Sequence, residues 1–284
     1  MAEILSGAAV AQKLDDELKG KIEKLKNSGT EPTLCVVRLG QKPEDLSYER
    51  GLLKKAEKLG IEVNKKLYDE NITQEELAGE LRKIDADNNN HGILIFRPLP
   101  SHIDEKKVLE LISPQKDADG VTDASMLGIY ADTGVGNPPC TAKACMEILK
   151  HYDIRLQGKK AVVLGRSLVV GKPLALMLLK ENATVTICHS KSENLSKICK
   201  EADILIAAVG KAKLIDKEYV SEGQIVIDVG INMGEDGKLC GDVNFEEVES
   251  VVSKISPVPG GVGTVTATVL MSHVVAMAER SESC

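Results

Sequence analysis

Aromatic side chains are scarce in this 284-residue chain, which has no tryptophan, two phenylalanines and five tyrosines. Its interior must therefore be filled by aliphatic side chains, as in parallel sheets buried on both faces. A basic bias is missing too. The 36 Lys and Arg stand against 43 Asp and Glu, a formal net charge of −7, and no basic stripe interrupts that balance. Nucleic acid and anionic membrane are therefore not expected as partners. The seven cysteines (35, 140, 145, 188, 199, 240 and 284) form no CxxC pair, and the five histidines (91, 102, 151, 189 and 273) show no ligand spacing. Reduced thiols in a cytoplasmic protein without a metal are the expectation. No apolar run reaches about 18 residues, so no membrane span is expected. The amino terminus carries an acid and no apolar stretch of signal length. No Ser-His-Asp or Cys-His nucleophile arrangement stands out.

What is present is an alternation of strand and helix patterns. Length alone suggests two domains. Val10, Leu14, Leu18, Ile22 and Leu25 share one helical face, which predicts a helix over 6–28. Thr33–Leu39 reads as a buried strand, 43–59 as a helix closed by Gly60, and Ile61–Leu67 as a strand. Thr73 and Glu76 have capping-box spacing ahead of a helix over 73–87. Gly92–Phe96 reads as a strand and 103–112 as a helix. Residues 113–140 are rich in Pro, Gly, Asp and Thr and read as a functional loop. A helix over 141–152 then opens a second alternation: strands at 160–164, 183–188, 203–208 and 225–229, and helices at 172–181 and 193–201. A glycine-rich loop precedes a last helix over 266–279. Such alternation predicts an open α/β sheet in each half. The boundary falls near 138–145, and the last helix is expected to return to the first domain.

The most informative segment is Lys159-Lys-Ala-Val-Val-Leu-Gly165-Arg-Ser-Leu-Val-Val-Gly171-Lys-Pro173. A buried strand runs into a glycine turn, and Pro173 sits where the first turn of a helix tolerates it. Gly165 suits a sharp turn, and Gly171 suits close approach of a pyrophosphate to a helix N-terminus. The spacing is not G-x-G-x-x-G, so an ordinary βα turn stays open as the alternative. The next strand ends in Cys188-His189-Ser190-Lys191, with no acid to take a ribose 2′-hydroxyl. Ser190, Lys191 and Arg166 suit a 2′-phosphate, which favours NADP over NAD. Ala207-Ala-Val209-Gly210 and Ile227-Asp-Val-Gly230-Ile231-Asn232 put small residues at strand C-termini, where ligands bind in open α/β sheets. Three further features carry candidate chemistry: Ser47-Tyr48 early in a helix, Asp117-Ala-Asp119-Gly120 in the polar loop, and Pro257-Val-Pro259-Gly260-Gly261-Val-Gly263, a loop costly to order unless it lines a ligand.

Taken together, these runs resemble the methylenetetrahydrofolate dehydrogenase/cyclohydrolase family over nearly the whole chain. The resemblance rests on Ser47-Tyr48, Gly92-Ile-Leu-Ile with Pro98-Leu99-Pro, Pro114–Gly120, Pro139-Cys-Thr141, Gly165-Arg-Ser167 with Val170-Gly-Lys-Pro173, Ile227–Asn232, Gly241-Asp-Val and Pro257–Gly263. It implies two open parallel-sheet α/β domains flanking a cleft. Residues 1–140, with the helix over 266–284, would bind the folate. Residues 141–265 would be a Rossmann-type NADP domain. It also implies a homodimer and the oxidation of 5,10-methylenetetrahydrofolate to 5,10-methenyltetrahydrofolate. Tyr48, Pro98, Leu99, Asp119, Pro259, Gly260 and Gly261 would meet the substrate, with Tyr48 stacking and Asp119 taking the pterin's amino edge. Gly165, Arg166, Ser167, Val170, Gly171, Pro173, His189, Ser190, Val209, Gly210, Gly230, Ile231 and Thr266 would meet the cofactor.

Two departures bear on the second reaction of the family, ring opening of the methenyl cation by water. Its bifunctional members carry a Lys four residues after the Tyr and a Gln two residues before Pro-Leu-Pro. Here those positions hold Leu52 and Phe96, the latter followed by Arg97. Neither side chain donates a proton or orients a water. Thr264-Val265 replaces the family's Pro-Met. The resemblance therefore implies a dehydrogenase whose cyclohydrolase step is lost or very weak. Two alternatives stay open: a bifunctional enzyme in which Lys54, Lys55 or Arg97 stands in, and a non-catalytic folate- or nucleotide-binding relative.

Overall fold

The computed structural model describes residues 1–282; Cys284, expected as a reduced thiol, and the last two residues of the 266–284 segment lie outside them. In chain order the elements are β1 (Glu3–Ile4), α1 (Gly7–Asn27), β2 (Thr33–Leu39), α2 (Pro43–Leu59), β3 (Glu62–Tyr68), α3 (Gln74–Ala86), β4 (Gly92–Ile95), α4 (Glu105–Leu109), α5 (Asp123–Tyr130), α6 (Cys140–His151), β5 (Lys160–Leu164), α7 (Gly171–Lys180), β6 (Thr184–Cys188), α8 (Leu195–Lys200), β7 (Ile204–Ala207), β8 (Ile225–Asp228), β9 (Asn232–Met233), β10 (Leu239–Cys240), α9 (Phe245–Val248), β11 (Lys254–Ile255) and α10 (Val262–Ser281). Two compact units result. One gathers Lys13–Pro138 and the chain from Ala267 onward, the other Met1–Gln12 and Pro139–Thr266.

In the first unit β2 lies between β3 and β4, all parallel. Every residue of β2 is buried, which fits a mostly apolar run in which the one charged residue, Arg38, is paired with a buried acid. Thr73 and Glu76 form the expected capping box on α3, and Gly60 closes α2 at φ 75°. The 113–140 stretch holds a helix, α5, where only loop was expected. Its cap is Thr122, whose hydroxyl accepts the Ser125 N–H at 3.1 Å. Helix α2 is fixed by ion pairs from within. Glu49 meets Arg38 of β2 at 2.7 Å, both side chains more than nine-tenths buried. Asp15 of α1 meets Lys55 and Lys58, each at 2.9 Å. Burial pushes the Asp15 carboxyl up, but the two ammonium groups more than offset this and hold it below the ordinary carboxylate value.

In the second unit six parallel strands run in the order β1-β11-β8-β7-β5-β6, and β9 and β10 form a separate antiparallel pair. The first twelve residues correct the expected domain limits. They belong to this unit because β1 pairs with β11 at Glu3–Lys254 and Ile4–Ile255. A two-residue strand leaves no periodicity for a sequence reading to find. The amino end of α1 is seated the same way: Gly7 N–H donates to the Gly260 carbonyl at 2.8 Å, and a Cβ on Gly7 would lie 2.0 Å from the Gly261 oxygen.

Helix α10 also departs from expectation. It begins at Val262, four residues early, and its 20 residues are long and apolar enough to cross a membrane. Most of that apolar surface is buried: Val265, Val269, Leu270, Met271, Val274, Val275 and Ala278 are at most 1 % exposed. A helix apolar on nearly all sides is what a protein core requires.

Two buried aspartates hold the carboxyl ends of β7 and β8. Asp228 accepts N–H bonds from Gly230, Asp242 and Val243 at 2.9–3.0 Å. Asp242 accepts them from Val209, Gly210 and Lys211 at 2.6–3.0 Å, and from the Asn232 amide at 2.9 Å. Glycine is obligatory beside them. A Cβ on Gly230 would lie 2.4 Å from the Asp242 carboxyl, and one on Gly241 would lie 1.8 Å from the Asp228 carboxyl. Burial pushes the Asp228 carboxyl up to about 6; its N–H partners draw it down and the Asp242 charge raises it further. An acid that holds its proton more tightly folded than unfolded loses stabilising effect as pH rises from about 4 through 6, here on the order of 2–3 kcal/mol. We therefore expect the stability of the chain minus that of Asp228→Asn, from urea unfolding, to fall between pH 4 and 6.5 and to level off above. A difference that grew with pH would contradict this assignment.

Candidate functional site

Each unit carries its own cluster of candidate residues. In the first unit the cluster forms where α2, the end of β4 and the Asp119 loop meet. Tyr48 is 45 % exposed, and its ring lies 5.4 Å from that of Phe96, tilted by 55°. Its neighbour Glu49 is the buried partner of Arg38, so the residue that pins α2 to the sheet also sets the position of Tyr48. Leu52 lies one helical turn on and is 1 % exposed. Phe96 is 7 % exposed. The wall beside Tyr48 is thus apolar at both departure positions.

The cations that could stand in for a missing Lys are engaged or exposed. The Lys55 ammonium donates to both oxygens of Asp15, at 2.9 and 3.1 Å. Lys54 is exposed. Arg97 spans two carboxylates, Asp119 at 3.4 Å and Glu105 at 3.5 Å. Glu105 also accepts the Leu99 N–H at 3.1 Å, so it orders the turn that starts at the cis Arg97–Pro98 bond. Leu99 is buried in this unit's core and Pro98 is exposed.

Asp119 is presented by a segment pinned on both sides. Asp117 pairs with Ile93 in a short parallel bridge. Its buried carboxylate accepts from Val121 N–H, Thr122 N–H and the Ser125 hydroxyl at 2.7–3.1 Å. The Ala118 carbonyl lies 2.9 Å from Nδ1 of the buried His273. Gly120 follows at φ 68°, and a Cβ there would lie 2.4 Å from the Asn137 oxygen. Asp117 stands out in the sequence only as part of the Asp117–Gly120 run, and nothing in the pattern points to Ser125 or His273 as its companions in holding the segment.

In the second unit the sheet order reverses between β5 and β7, since β6 lies on one side and β8 on the other. Ligands of open α/β sheets sit at the carboxyl ends of strands at such a reversal. Gly165 leaves β5 at φ 120°, and a Cβ on it would lie 2.1 Å from the Ala208 oxygen. A Cβ on Gly171 would lie 2.2 Å from the Gly165 oxygen. Both glycines are thus required by the turn's own packing, a reason the sequence reading did not give for Gly171. Ser167 Oγ accepts the N–H of Val170 at 3.1 Å and of Gly171 at 3.4 Å, which ties down the turn leading into α7. Pro173 is buried in its first turn, while Arg166 and Ser190 are exposed. His189 donates its N–H to the Ser192 hydroxyl, and its ring accepts from Lys191 N–H. The Val209 and Gly210 N–H groups are taken by Asp242.

Gly230 and Ile231 share a pocket of about 250 Å³ with Leu239, Pro257, Pro259, Gly260, Gly261 and the start of α10. Residues assigned from the sequence to cofactor and to substrate therefore meet in one cavity. Thr266 lies one turn into α10, its hydroxyl bonded to the Val262 carbonyl. Among the described residues no group of three or more His, Cys, Asp or Glu could hold a metal ion.

Comparison with known proteins matches this arrangement in both units. Residues 5–119 match the model of the tetrahydrofolate dehydrogenase/cyclohydrolase catalytic domain, and residues 139–282 that of the same family's NAD(P)-binding domain. The chain is 52 % identical over 281 residues to the bifunctional protein FolD of Carboxydothermus hydrogenoformans, covering 98 % of both. It is 48 % identical over 273 residues to that of Clostridioides difficile, covering 96 % of this chain and 95 % of that protein. The crystal structure of the Campylobacter jejuni FolD enzyme superimposes with a TM-score of 0.97 at 41 % identity, covering 99 % of this chain and 100 % of that one. The Trypanosoma brucei enzyme, solved with NADP cofactor and inhibitor, gives 0.93 at 33 %, covering 100 % and 99 %. With both of its units matched, the chain belongs to the tetrahydrofolate dehydrogenase/cyclohydrolase family, and its second unit is that family's Rossmann-like NAD(P)-binding domain.

Proposed function

We propose that this chain oxidises 5,10-methylenetetrahydrofolate to 5,10-methenyltetrahydrofolate with NADP, and that its cyclohydrolase reaction is lost or very weak. The observation that carries the reading is the apolar wall beside Tyr48. Leu52 and Phe96 fill the positions of the family's Lys and Gln, and Lys55 is held by Asp15. Oxidation asks for little proton transfer. The hydride leaves a carbon flanked by two nitrogens, whose lone pairs carry the resulting charge. Tyr48 would stack on the folate and Asp119 would accept hydrogen bonds from its amino edge, with Pro98, Leu99 and the Pro259–Gly261 segment as further substrate contacts. Water attack on the methenyl carbon needs a group to orient the water and take its proton, and Leu and Phe supply neither.

Bound NADP supplies the hydride acceptor. The β5–α7 turn suits it: no Cβ fits at Gly165 or Gly171, and Arg166 on this turn and Ser190 after β6 are both exposed. The remaining contacts in this reading are Ser167, Val170, Pro173, His189, Val209, Gly210, Gly230, Ile231 and Thr266. A cytoplasmic homodimer belongs to the same reading. A bifunctional enzyme is the second reading, favoured by the relatives named bifunctional that match along the whole chain.

Methylenetetrahydrofolate and NADP+ supplied together, with reduced nicotinamide and methenyl absorbance followed in parallel, should give equimolar rise of both and methenyl loss at the spontaneous rate. Enzyme-dependent loss of methenyl well above that rate would establish the bifunctional reading. The double substitution Leu52→Lys, Phe96→Gln should raise cyclohydrolase turnover at least about tenfold while retaining dehydrogenase activity; circular dichroism checks folding, because a Lys at a buried position is costly. Arg166→Ala should raise KM for NADP+ by about tenfold and leave KM for NAD+ within about twofold, as expected for loss of one charge-assisted phosphate contact. Equal effects on both cofactors would remove Arg166 from 2′-phosphate recognition.

A further inference from the structure

Arg97 stands out because the dehydrogenase reading gives it no role, yet it lies on the residue that reading makes the folate's main polar contact. Its guanidinium reaches Asp119 Oδ2 through Nη2 at 3.4 Å and Glu105 Oε1 through Nη1 at 3.5 Å. The Arg97 and Asp119 side chains are 21 % and 26 % exposed. The pair is thus partly open to solvent, and both distances are long for charge-assisted bonds. Glu105 gives Arg97 a second anchor on α4, and the same carboxylate holds the Leu99 N–H. Arg97 therefore has a place to remain when its contact with Asp119 is broken.

The chemistry of the two partners is alike. A guanidinium presents a flat row of N–H donors to a carboxylate. The 2-amino-pyrimidinone edge of a pterin presents the same kind of row: an exocyclic amine beside a ring N–H. Resting on the proposed folate reading of Asp119, we propose that Arg97 is a specificity-determining residue that occupies Asp119 in place of the pterin edge and must yield for the folate to bind. The contact lowers affinity for any ligand that reaches Asp119 weakly and leaves one that offers a full donor row able to displace it. Arg97 acts on binding and not on hydride transfer, so its effect falls on KM and not on kcat. A partly exposed pair is weak, so the expected effect is modest.

The test uses the full-length enzyme in the dehydrogenase assay. Arg97→Met keeps the length and apolar stem and removes the donors. It should lower KM for methylenetetrahydrofolate by about three- to fivefold, with kcat and KM for NADP+ within about twofold. Arg97→Lys restores a cation without the flat donor row and should fall between. Asp119→Asn, assayed alongside, separates the two layers of the argument. If it raises folate KM while Arg97→Met also raises it or leaves it unchanged, Asp119 recognises folate and the competition proposed for Arg97 is overturned. If Asp119→Asn leaves folate KM unchanged, the reading of Asp119 fails and the proposal fails with it. Thermal melts of each variant distinguish these outcomes from a turn loosened at Pro98–Leu99: a destabilised variant whose kcat falls together with a rising KM also counts against competition.

Discussion

Parallel strands end in loops whose backbone N–H groups need acceptors, and in this chain buried aspartates provide them. Asp117 gathers two N–H groups and a hydroxyl beside Asp119. Asp228 and Asp242 together gather six N–H groups and one side-chain amide at the carboxyl ends of β7 and β8. A buried unmet donor costs about 1–3 kcal/mol. Without these carboxylates the loops would have to rearrange or admit water. The candidate ligand residues occupy loops of this kind in both units, so their placement depends on acids that need not touch a ligand.

That constraint dictates where glycine stands. Gly230 and Gly241 are small because a carboxylate lies against them, Gly120 because the Asn137 and Pro138 backbone does, and Gly165 because Ala208 does. A glycine-rich signature near a nucleotide site is often ascribed to the ligand's need for close approach. Here internal packing alone excludes a side chain at each of these positions. The nests of N–H groups that could hold an anion are also partly taken. Asp242 fills the one at Val209–Lys211, and Ser167 Oγ takes two N–H groups at the start of α7. Arg166, on the same turn, is by contrast exposed.

Long periodic elements were legible in the sequence. The bounds of β2, α2 and β5 match their apolar runs, and the capping box at Thr73–Glu76 is present. Elements that depend on distant partners were not. A two-residue β1 exists because β11 pairs with it, Glu3 with Lys254 and Ile4 with Ile255, and α5 is short, with its apolar residues spread around the helix and gathered on no one face. The early start of α10 inside the glycine loop was hidden for a related reason: Gly261 and Gly263 read as breakers, whereas the helix there is set by tight packing on Ser256 and Pro257. At the candidate site the reactive side chains were visible by type and spacing. The supporting roles of Glu49 and His273 were not, because a buried ion pair with Arg38 or a contact with the Ala118 carbonyl joins residues far apart in the chain and leaves no local pattern.

The departures at positions 52 and 96 are best understood as packing choices with chemical consequences. Leu52 is fully enclosed, and burying a leucine contributes roughly 2 kcal/mol. A lysine in the same place must lose part of its hydration unless it reaches a partner, which depresses its affinity for a proton and suits it to proton transfer. The position can thus serve stability or acid–base chemistry, and the leucine serves the first. Phe96 makes the matching choice, setting its ring against Tyr48 where a polar amide would hold water. Both side chains are apolar and buried, and of the two it is the Phe96 ring that lies against Tyr48. The remaining cation, Arg97, has two carboxylates within 3.5 Å. Its charge is therefore more than balanced locally, and the polar side of this site carries a net negative character.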